Sequence, residues 1–243
     1  MPYRRLPNTD NARFKALKNA QEKGKELPPF KLAFRQQTLQ KVLSFLPAFE
    51  QARLLQKQAY TFQIEKNKNY QETFRKAKLY ISHFIQVLNM AILRAELPEN
   101  TRSYYGLGSY GKNVPPFNTE TEILTWGQKL IDGETTRLRK GLSPITNPTV
   151  AVIKVRYEQF LDASKFQKTL QKRNHYHLEK LASFRSKADN IILRIWNEVE
   201  ETYQDLPDDL KREKAKQYGI VYIFRKNEIT KIIRFETNQK EIG

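Results

Sequence analysis

The 243-residue sequence contains no cysteine and only two methionines, two tryptophans and three histidines. Without cysteine the chain has no disulfides, no thiolate metal sites and no cysteine nucleophile. Long apolar runs are missing as well: Ile191, Ile192 and Leu193 are followed at once by Arg194, whereas a membrane-spanning helix needs about 18 or more apolar residues. No apolar segment typical of a secretory signal follows the first basic residues. We therefore expect a soluble cytoplasmic protein without a transmembrane segment.

Several catalytic and metal-binding motifs are also absent. The sequence lacks the Gly-x-Ser-x-Gly motif of hydrolases and the Glu-x-x-His motif of di-iron helical bundles. The run from Ala151 to Lys154 is similar to the lysine strand of kinases, but neither His-Arg-Asp nor Asp-Phe-Gly accompanies it. His175 and His177 diverge on a helix and have no evident third ligand. We expect a protein that is not an enzyme and that uses no metal or cofactor.

Residues 106–111, Gly-Leu-Gly-Ser-Tyr-Gly, match the glycine pattern of nucleotide-binding loops. Such a loop has to join a strand to a helix, whose N-terminus faces the phosphate. Here a helical pattern precedes the loop and Pro115-Pro116 follows it, so no nucleotide-binding fold is expected. Two interpretations remain open: stacking of single-stranded nucleic acid on the loop, or an Ω-like loop whose tyrosines fold onto the helices. The first interpretation predicts contacts from Arg102, Tyr104, Tyr105, Tyr110 and Lys112.

Positive charge is the strongest compositional signal. The chain has 43 Lys and Arg against 26 Asp and Glu, a formal net charge of +17 and a pI near 9.9. Such an excess attracts polyanions, so nucleic acid or a ribonucleoprotein is the expected partner, although a basic protein without such a partner is also possible. Two rows of cations can follow phosphates without reading base sequence. They are Arg4, Arg5, Arg13, Lys15, Lys18, Lys23 and Lys25 near the N-terminus, and Lys165, Lys168, Lys172 and Arg173 at helical spacing.

Apolar residues recur with helical periodicity in residues 70–96 and again in residues 176–203. Each segment runs into Leu-Pro and then into Tyr-Gly, which indicates an internal duplication. The polar residues 65–69 predict a turn between two helices, and a second turn is expected just before Tyr176. Pro47 predicts a kink or break near residues 44–46. The pattern indicates a mainly α fold, an up-down helical bundle made of two duplicated long helical hairpins.

The C-terminal region has a different pattern. Residues 220–224 and 229–235 are rich in β-branched and aromatic residues and predict a β-hairpin. A two-stranded hairpin is only marginally stable alone, so this one must pack on the bundle or pair with a partner. The alternative function is therefore a structural or protein-interaction bundle, which either self-associates as a homo-oligomer or binds another protein through this hairpin.

Domain boundaries follow from these patterns. Thr119 and Glu122 have capping-box spacing, which predicts that a helix begins there. We expect one compact domain with five segments: a basic arm (1–9), a first helical hairpin with a leading short helix (10–98), a tyrosine-glycine loop (99–118), a second helical hairpin with a leading short helix (119–207), and a short helix with the β-hairpin (208–236).

The opening ten residues, Met-Pro-Tyr-Arg-Arg-Leu-Pro-Asn-Thr-Asp, carry a resemblance. They are similar to the start of a family of uncharacterised helical proteins from Bacteroidota. The resemblance covers little beyond these residues. It implies a bacterial, cytoplasmic origin and no activity.

Overall fold

A computed structural model of the chain describes residues 3–224, and most of them are helical. Two short strands lie at its ends, and 3-10 turns cover Pro29–Lys31, Glu99–Tyr105 and Gly108–Tyr110. The predicted mainly α helical bundle is confirmed. Within residues 3–224, no helix is both long and apolar enough to cross a membrane. The elements are β1 (Tyr3–Arg4), α1 (Asp10–Glu26), α2 (Gln36–Leu93), α3 (Glu120–Arg139), α4 (Val150–Thr202), α5 (Asp208–Lys216) and β2 (Tyr222–Ile223).

The two longest helices, α2 and α4, are continuous where turns were predicted. The predicted turns at residues 65–69 and before Tyr176 are therefore wrong, and each predicted hairpin is one long helix instead. Residues 65–69 contain no glycine or proline to stop a helix. The helix α4 provides a hydrogen-bonding partner for these polar residues: Asn67 Oδ1 accepts a hydrogen bond from Gln167 Nε2 at 3.3 Å.

Pro47 lies inside α2, so the break predicted near residues 44–46 does not occur. A proline in a helix costs about 3 kcal/mol because it removes one hydrogen-bond donor and crowds the preceding turn. Phe45, Leu46 and Phe49 around it are all buried. Each buried side chain of this size contributes about 1.5–3 kcal/mol, so their burial outweighs the cost of the proline.

The chain divides into two compact units. Unit 1 comprises Met1–Gln58 and His175–Gly243. It contains α1, the N-terminal part of α2, the C-terminal part of α4, and α5. The two long helices run antiparallel here, because Thr38 bonds to Glu198 and Phe45 packs against Phe184. The core of unit 1 includes Leu17, Val42, Phe49, Ile192, Trp196 and Tyr218.

The two strands of unit 1 form an antiparallel pair. Tyr3 is opposite Ile223 and Arg4 is opposite Tyr222, and Arg5 N donates to Val221 O at 2.9 Å. The basic arm is thus the partner of the first predicted C-terminal strand. The second predicted strand, residues 229–235, lies outside the described residues, and association through it stays a prediction.

Unit 2 is the continuous segment Ala59–Asn174. It contains the C-terminal part of α2, α3, the N-terminal part of α4 and the loop between α2 and α3. The predicted capping box of α3 is confirmed, with Thr119 and Glu122 bonded to each other's backbone. A side chain at Gly127 would overlap the Tyr157 ring, so this glycine allows α3 and α4 to approach closely. The core of unit 2 includes Ile81, Phe84, Leu88, Ile123, Leu130 and Phe160.

Candidate polyanion-binding surface

Three of the N-terminal cations predicted to contact nucleic acid are held in intramolecular pairs. Arg4 NH1 donates to Asn197 Oδ1 at 2.7 Å and lies 3.3 Å from a carboxylate oxygen of Glu200. Lys23 Nζ donates to Glu26 at 2.7 Å. The third, Arg13, is described next. A cation in such a pair has less charge to offer a polyanion.

Arg13 is the most firmly held of the three. Its Nε and NH2 donate to the two carboxylate oxygens of Asp189 at 2.7 and 3.0 Å, and its side chain is mostly buried. The hydrogen bond to Asp189 raises the pKa of the Arg13 guanidinium. Arg13 therefore joins α1 to α4 within unit 1, and its assignment to a nucleic-acid contact is not supported by its position.

The other predicted N-terminal cations, Arg5, Lys15, Lys18 and Lys25, are exposed. Lys18 Nζ lies 5.9 Å from the centre of the Phe14 ring. Lys15, Lys18 and Lys25 share the exposed side of α1 with Glu22 and Glu26, and Glu22 follows Lys18 by one helical turn. Mixed signs on one helix face weaken the field that reaches a polyanion. The solvent face of α1 is therefore a weak candidate surface.

The tyrosine-glycine loop is packed onto unit 2. Tyr105 is 0% exposed, and its hydroxyl donates to Glu134. Arg102 is also buried, and its Nε donates to Asn89 Oδ1 at 3.2 Å. Tyr105 has no exposed surface and Arg102 only 8%, so their burial does not support the predicted contacts with nucleic acid.

Three other loop residues remain partly accessible: Tyr104, Tyr110 and Lys112. The Tyr110 ring packs edge-on against Trp126, with 5.3 Å between centroids. The Tyr104 hydroxyl accepts a hydrogen bond from Lys140 Nζ at 3.3 Å. Each of these tyrosines already has a partner in unit 2, which leaves less ring surface for a base to stack on.

The second predicted row of cations lies on the exposed side of α4 in unit 2. Lys165, Lys172 and Arg173 are exposed and form no ion pair within residues 3–224. Lys168 is exposed and pairs with Glu120 at the start of α3. The spacing of three and four residues places Lys165, Lys168 and Lys172 on one face of the helix.

This part of unit 2 has almost no negative charge. The sequence contains no acidic residue between Asp162 and Asn174, and residues 59–71 of α2 contain only Glu65, which lies 3.6 Å from Lys66. Hydrogen bonds hold the two helices together here, including Asn174 Nδ2 to Gln63 Oε1 at 2.9 Å. We call residues 59–71 of α2 and 163–174 of α4 together the basic segment. Its cations are Lys66, Lys68, Lys165, Lys168, Lys172 and Arg173.

A buried ion pair between Glu134 and Arg137 of α3 was not anticipated from the sequence. Arg137 NH1 donates to Glu134 Oε2 at 2.8 Å, and the two side chains are 0% and 1% exposed. Both residues continue the buried stripe of α3 after Trp126 and Leu130. The sequence feature that could have predicted this ion pair is the presence of two opposite charges three residues apart on the apolar face of a helix.

The buried pair holds neighbouring backbone in place. Arg137 NH2 donates to Ser143 O at 3.0 Å, and Ile145 N donates to Glu134 Oε1 at 2.7 Å. Burial and the Glu134 carboxylate together raise the pKa of Tyr105, so its hydroxyl stays protonated. The cluster fixes the segment after α3, although the buried Arg137 Nε has no hydrogen-bond partner among the described residues.

In unit 1, Glu198 of α4 caps the start of α2. It is buried and accepts hydrogen bonds from Arg35 N at 2.9 Å, Thr38 Oγ1 at 2.9 Å and Arg194 Nε at 3.0 Å. Burial acts to raise the pKa of Glu198, but these three donors outweigh it and lower the pKa below the usual value. The carboxylate also interacts favourably with the positive end of the α2 dipole.

We expect this cap to make unit 1 less stable at acidic pH. Because the pKa of Glu198 is lower in the folded state, its stabilisation is complete above the unfolded pKa, near 4.5, and is lost as the pH falls further. Glu198→Gln should cost about 1–2 kcal/mol at pH near 6, since hydrogen bonds to charged groups are the stronger ones. Urea unfolding of both proteins at several pH values should show the difference shrinking below that pKa. A difference independent of pH would contradict the assignment.

A cavity of about 580 Å³ in unit 2 is lined by His83, Arg94 and Glu96 among others, and Arg94 donates to Glu96 at 2.6 Å. In the part of the chain that the structure describes, no group of three His, Asp or Glu side chains could hold a metal. The chain was compared with protein-family models, curated proteins and solved structures, and none of them matches.

Proposed function

We propose that the protein binds nucleic acid, alone or within a ribonucleoprotein, through the basic segment of unit 2, and that it does so without catalysing a reaction. The observation that carries the proposal is the charge of this segment. Lys165, Lys172 and Arg173 pair with no described carboxylate, whereas Lys66 and Lys168 are paired with Glu65 and Glu120 and Lys68 lies near Glu72. The net charge of +17 adds a long-range attraction to any polyanion.

Accessible aromatic rings in the same segment favour a single-stranded ligand. Phe62 and Phe166 are 37% and 48% exposed, and Tyr60 is 51% exposed. Lys66 Nζ lies 5.2 Å from the centre of the Phe62 ring. Proteins that bind single strands combine cations that contact the phosphates with rings on which bases stack, at about 1–3 kcal/mol per base.

Recognition would not depend on base sequence. Lysine side chains act as point charges on phosphate oxygens, and such contacts position a nucleic acid without identifying its bases. The strength of binding should therefore vary with salt concentration much more than with sequence.

The test compares two triple variants with the same change in charge. Lys165→Glu/Lys172→Glu/Arg173→Glu alters the basic segment, and Lys15→Glu/Lys18→Glu/Lys25→Glu alters exposed cations of α1. Fluorescence anisotropy with labelled single-stranded RNA, single-stranded DNA and duplex DNA gives the affinity between about 50 and 200 mM salt. For single strands, the α4 variant should reduce the slope of log K against log salt by about 2, because each phosphate contact contributes about 0.7.

The control variant separates a local surface from overall charge. We expect it to reduce affinity far less than the α4 variant does, because its cations lie among acidic residues. Equal losses from the two variants would reject the basic segment as the binding surface. The absence of binding by the unaltered protein at low salt would reject nucleic acid as the partner.

A further inference from the structure

A cleft of about 440 Å³ in unit 1 lies between the N-terminal part of α2 and the C-terminal part of α4. Three of its lining residues are cations and two carry neutral hydrogen-bonding groups, and none of the six is a carboxylate. The lining residues are Lys41, Ser44, Lys187, Asn190, Ile191 and Arg194.

Helical spacing explains why these residues meet in one cleft. On α4 the lining positions 187, 190, 191 and 194 follow the i, i+3, i+4, i+7 pattern of one helix face. On α2 the positions 41 and 44 are three residues apart and so share a face. Because the two helices are antiparallel in unit 1, cations from distant parts of the sequence converge on the same space.

Arg194 is held in position by the buried cap of α2. Its Nε donates to Glu198 Oε1 at 3.0 Å, and Glu198 is itself fixed by Arg35 and Thr38. Within residues 3–224, the two terminal nitrogens of the Arg194 guanidinium make no hydrogen bond. Arg194 therefore presents two terminal NH2 groups without a partner among the described residues, and their planar arrangement suits the oxygens of a tetrahedral anion.

The two lysines add charge to the same cleft. Lys187 is exposed, and its Nζ lies 5.7 Å from the centre of the buried Phe45 ring. Lys41 forms no ion pair with any described residue. The Asn190 amide supplies an uncharged donor, whereas the Ser44 hydroxyl donates to Lys41 O at 3.1 Å.

We propose that this cleft binds a phosphate group. The Glu198 carboxylate balances one of the three cations, which leaves two positive charges for the two negative charges of a phosphate monoester. The volume exceeds that of a phosphate alone and falls within the range of small-molecule sites, about 300–1,000 Å³. Ile191 supplies apolar surface for the organic part of the ligand. The inference does not depend on the basic segment, which lies in unit 2.

The first test measures binding of pyrophosphate to the full chain by calorimetry. Lys41→Gln/Lys187→Gln should weaken binding by about tenfold or more, since charge-assisted hydrogen bonds are the stronger ones. The matched control is Lys15→Gln/Lys25→Gln, which removes two exposed lysines of unit 1 outside the cleft and should leave the affinity within about twofold. Arg194 is left unaltered because it pairs with the buried Glu198, and thermal unfolding checks that both variants are folded.

Competition identifies the source of the phosphate. If the cleft holds a phosphodiester of a nucleic-acid backbone, a single-stranded oligonucleotide should displace pyrophosphate. If it holds a small phosphate ester, a nucleoside monophosphate should displace pyrophosphate and the oligonucleotide should not. The proposal is overturned if pyrophosphate does not bind at millimolar concentration, or if the control weakens binding as much as the cleft variant does.

A further variant separates this proposal from the preceding one. The Lys165→Glu/Lys172→Glu/Arg173→Glu protein, altered only in the basic segment, should bind pyrophosphate like the unaltered protein. If it also lost pyrophosphate binding, the anion would be attracted by overall charge and the cleft assignment would be rejected.

Discussion

Replacing Arg137 with methionine is expected to lower the free energy of unfolding by about 3–5 kcal/mol, the largest effect among the changes considered for this protein. Methionine fills much of the volume of the arginine but leaves the Glu134 carboxylate buried without its cation. The two side chains are 1% and 0% exposed, so water cannot replace the lost partner. Urea unfolding followed by circular dichroism gives the free energy for each variant.

The double variant Glu134→Gln/Arg137→Met is the control. The glutamine introduced in place of Glu134 carries no charge; its amide oxygen can accept the hydrogen bond from Ile145 N, and its amide nitrogen can donate to the Tyr105 oxygen, since these two groups bond to different oxygens of the carboxylate. We therefore expect the double variant to recover more than half of the stability that Arg137→Met loses, because the uncompensated buried charge is gone. A double variant less stable than Arg137→Met alone would show that the pair acts through shape or backbone contacts instead of charge.

Replacing Gly133 with valine is expected to cost about 3 kcal/mol, near the upper end for overpacking a well-packed site. A Cβ at this position would lie 2.5 Å from Tyr104 O and 2.6 Å from Tyr105 Cδ1. The first of these atoms belongs to the backbone, which cannot rotate out of the way as a side chain can. The tyrosine-glycine loop would have to move away from α3, and the environment of buried Tyr105 would change. Unfolding free energy and near-ultraviolet circular dichroism report these two effects.

Gly108 in the same loop provides the matched control. A Cβ added there would meet no atom within 4 Å, and its backbone conformation is one that other residues adopt. Gly108→Val should therefore change stability by about 0.5 kcal/mol or less, as surface substitutions usually do. If both variants lost stability equally, the contact between α3 and the loop would not explain the effect of Gly133→Val.

The sequence predicts the local structure of this protein better than its long-range pairing. The start of α3 at Thr119 and the buried faces of α2 and α4 follow from capping and periodicity, which depend on near neighbours. The continuity of α2 depends on partners in α4, such as Gln167 beside Asn67. No pattern within residues 65–69 identifies that partner. The polar residues of a continuous helix therefore have the same sequence pattern as a turn.

For the charged residues, too, the sequence does not identify partners that are remote in the chain. The row of cations at Lys165 was predicted from its spacing, and the structure places it on an exposed helix face. Arg13 had the same appearance in the sequence, but it pairs with Asp189, which is remote in the chain. The cleft at Lys41 and Lys187 could not be predicted for the same reason, since only the antiparallel arrangement of α2 and α4 in unit 1 brings these residues to one cavity.

The discontinuity of unit 1 has a consequence for how the chain folds as it is synthesised. Unit 2 is one uninterrupted segment, whereas unit 1 needs residues from both sides of that segment. Synthesis proceeds from the N-terminus, so all of unit 2 is translated before β2, the strand that pairs with β1, has been made. The strand β1 must wait until residues 222–223 have been translated before its partner emerges, and the long loop that this pairing closes favours slow completion of the unit.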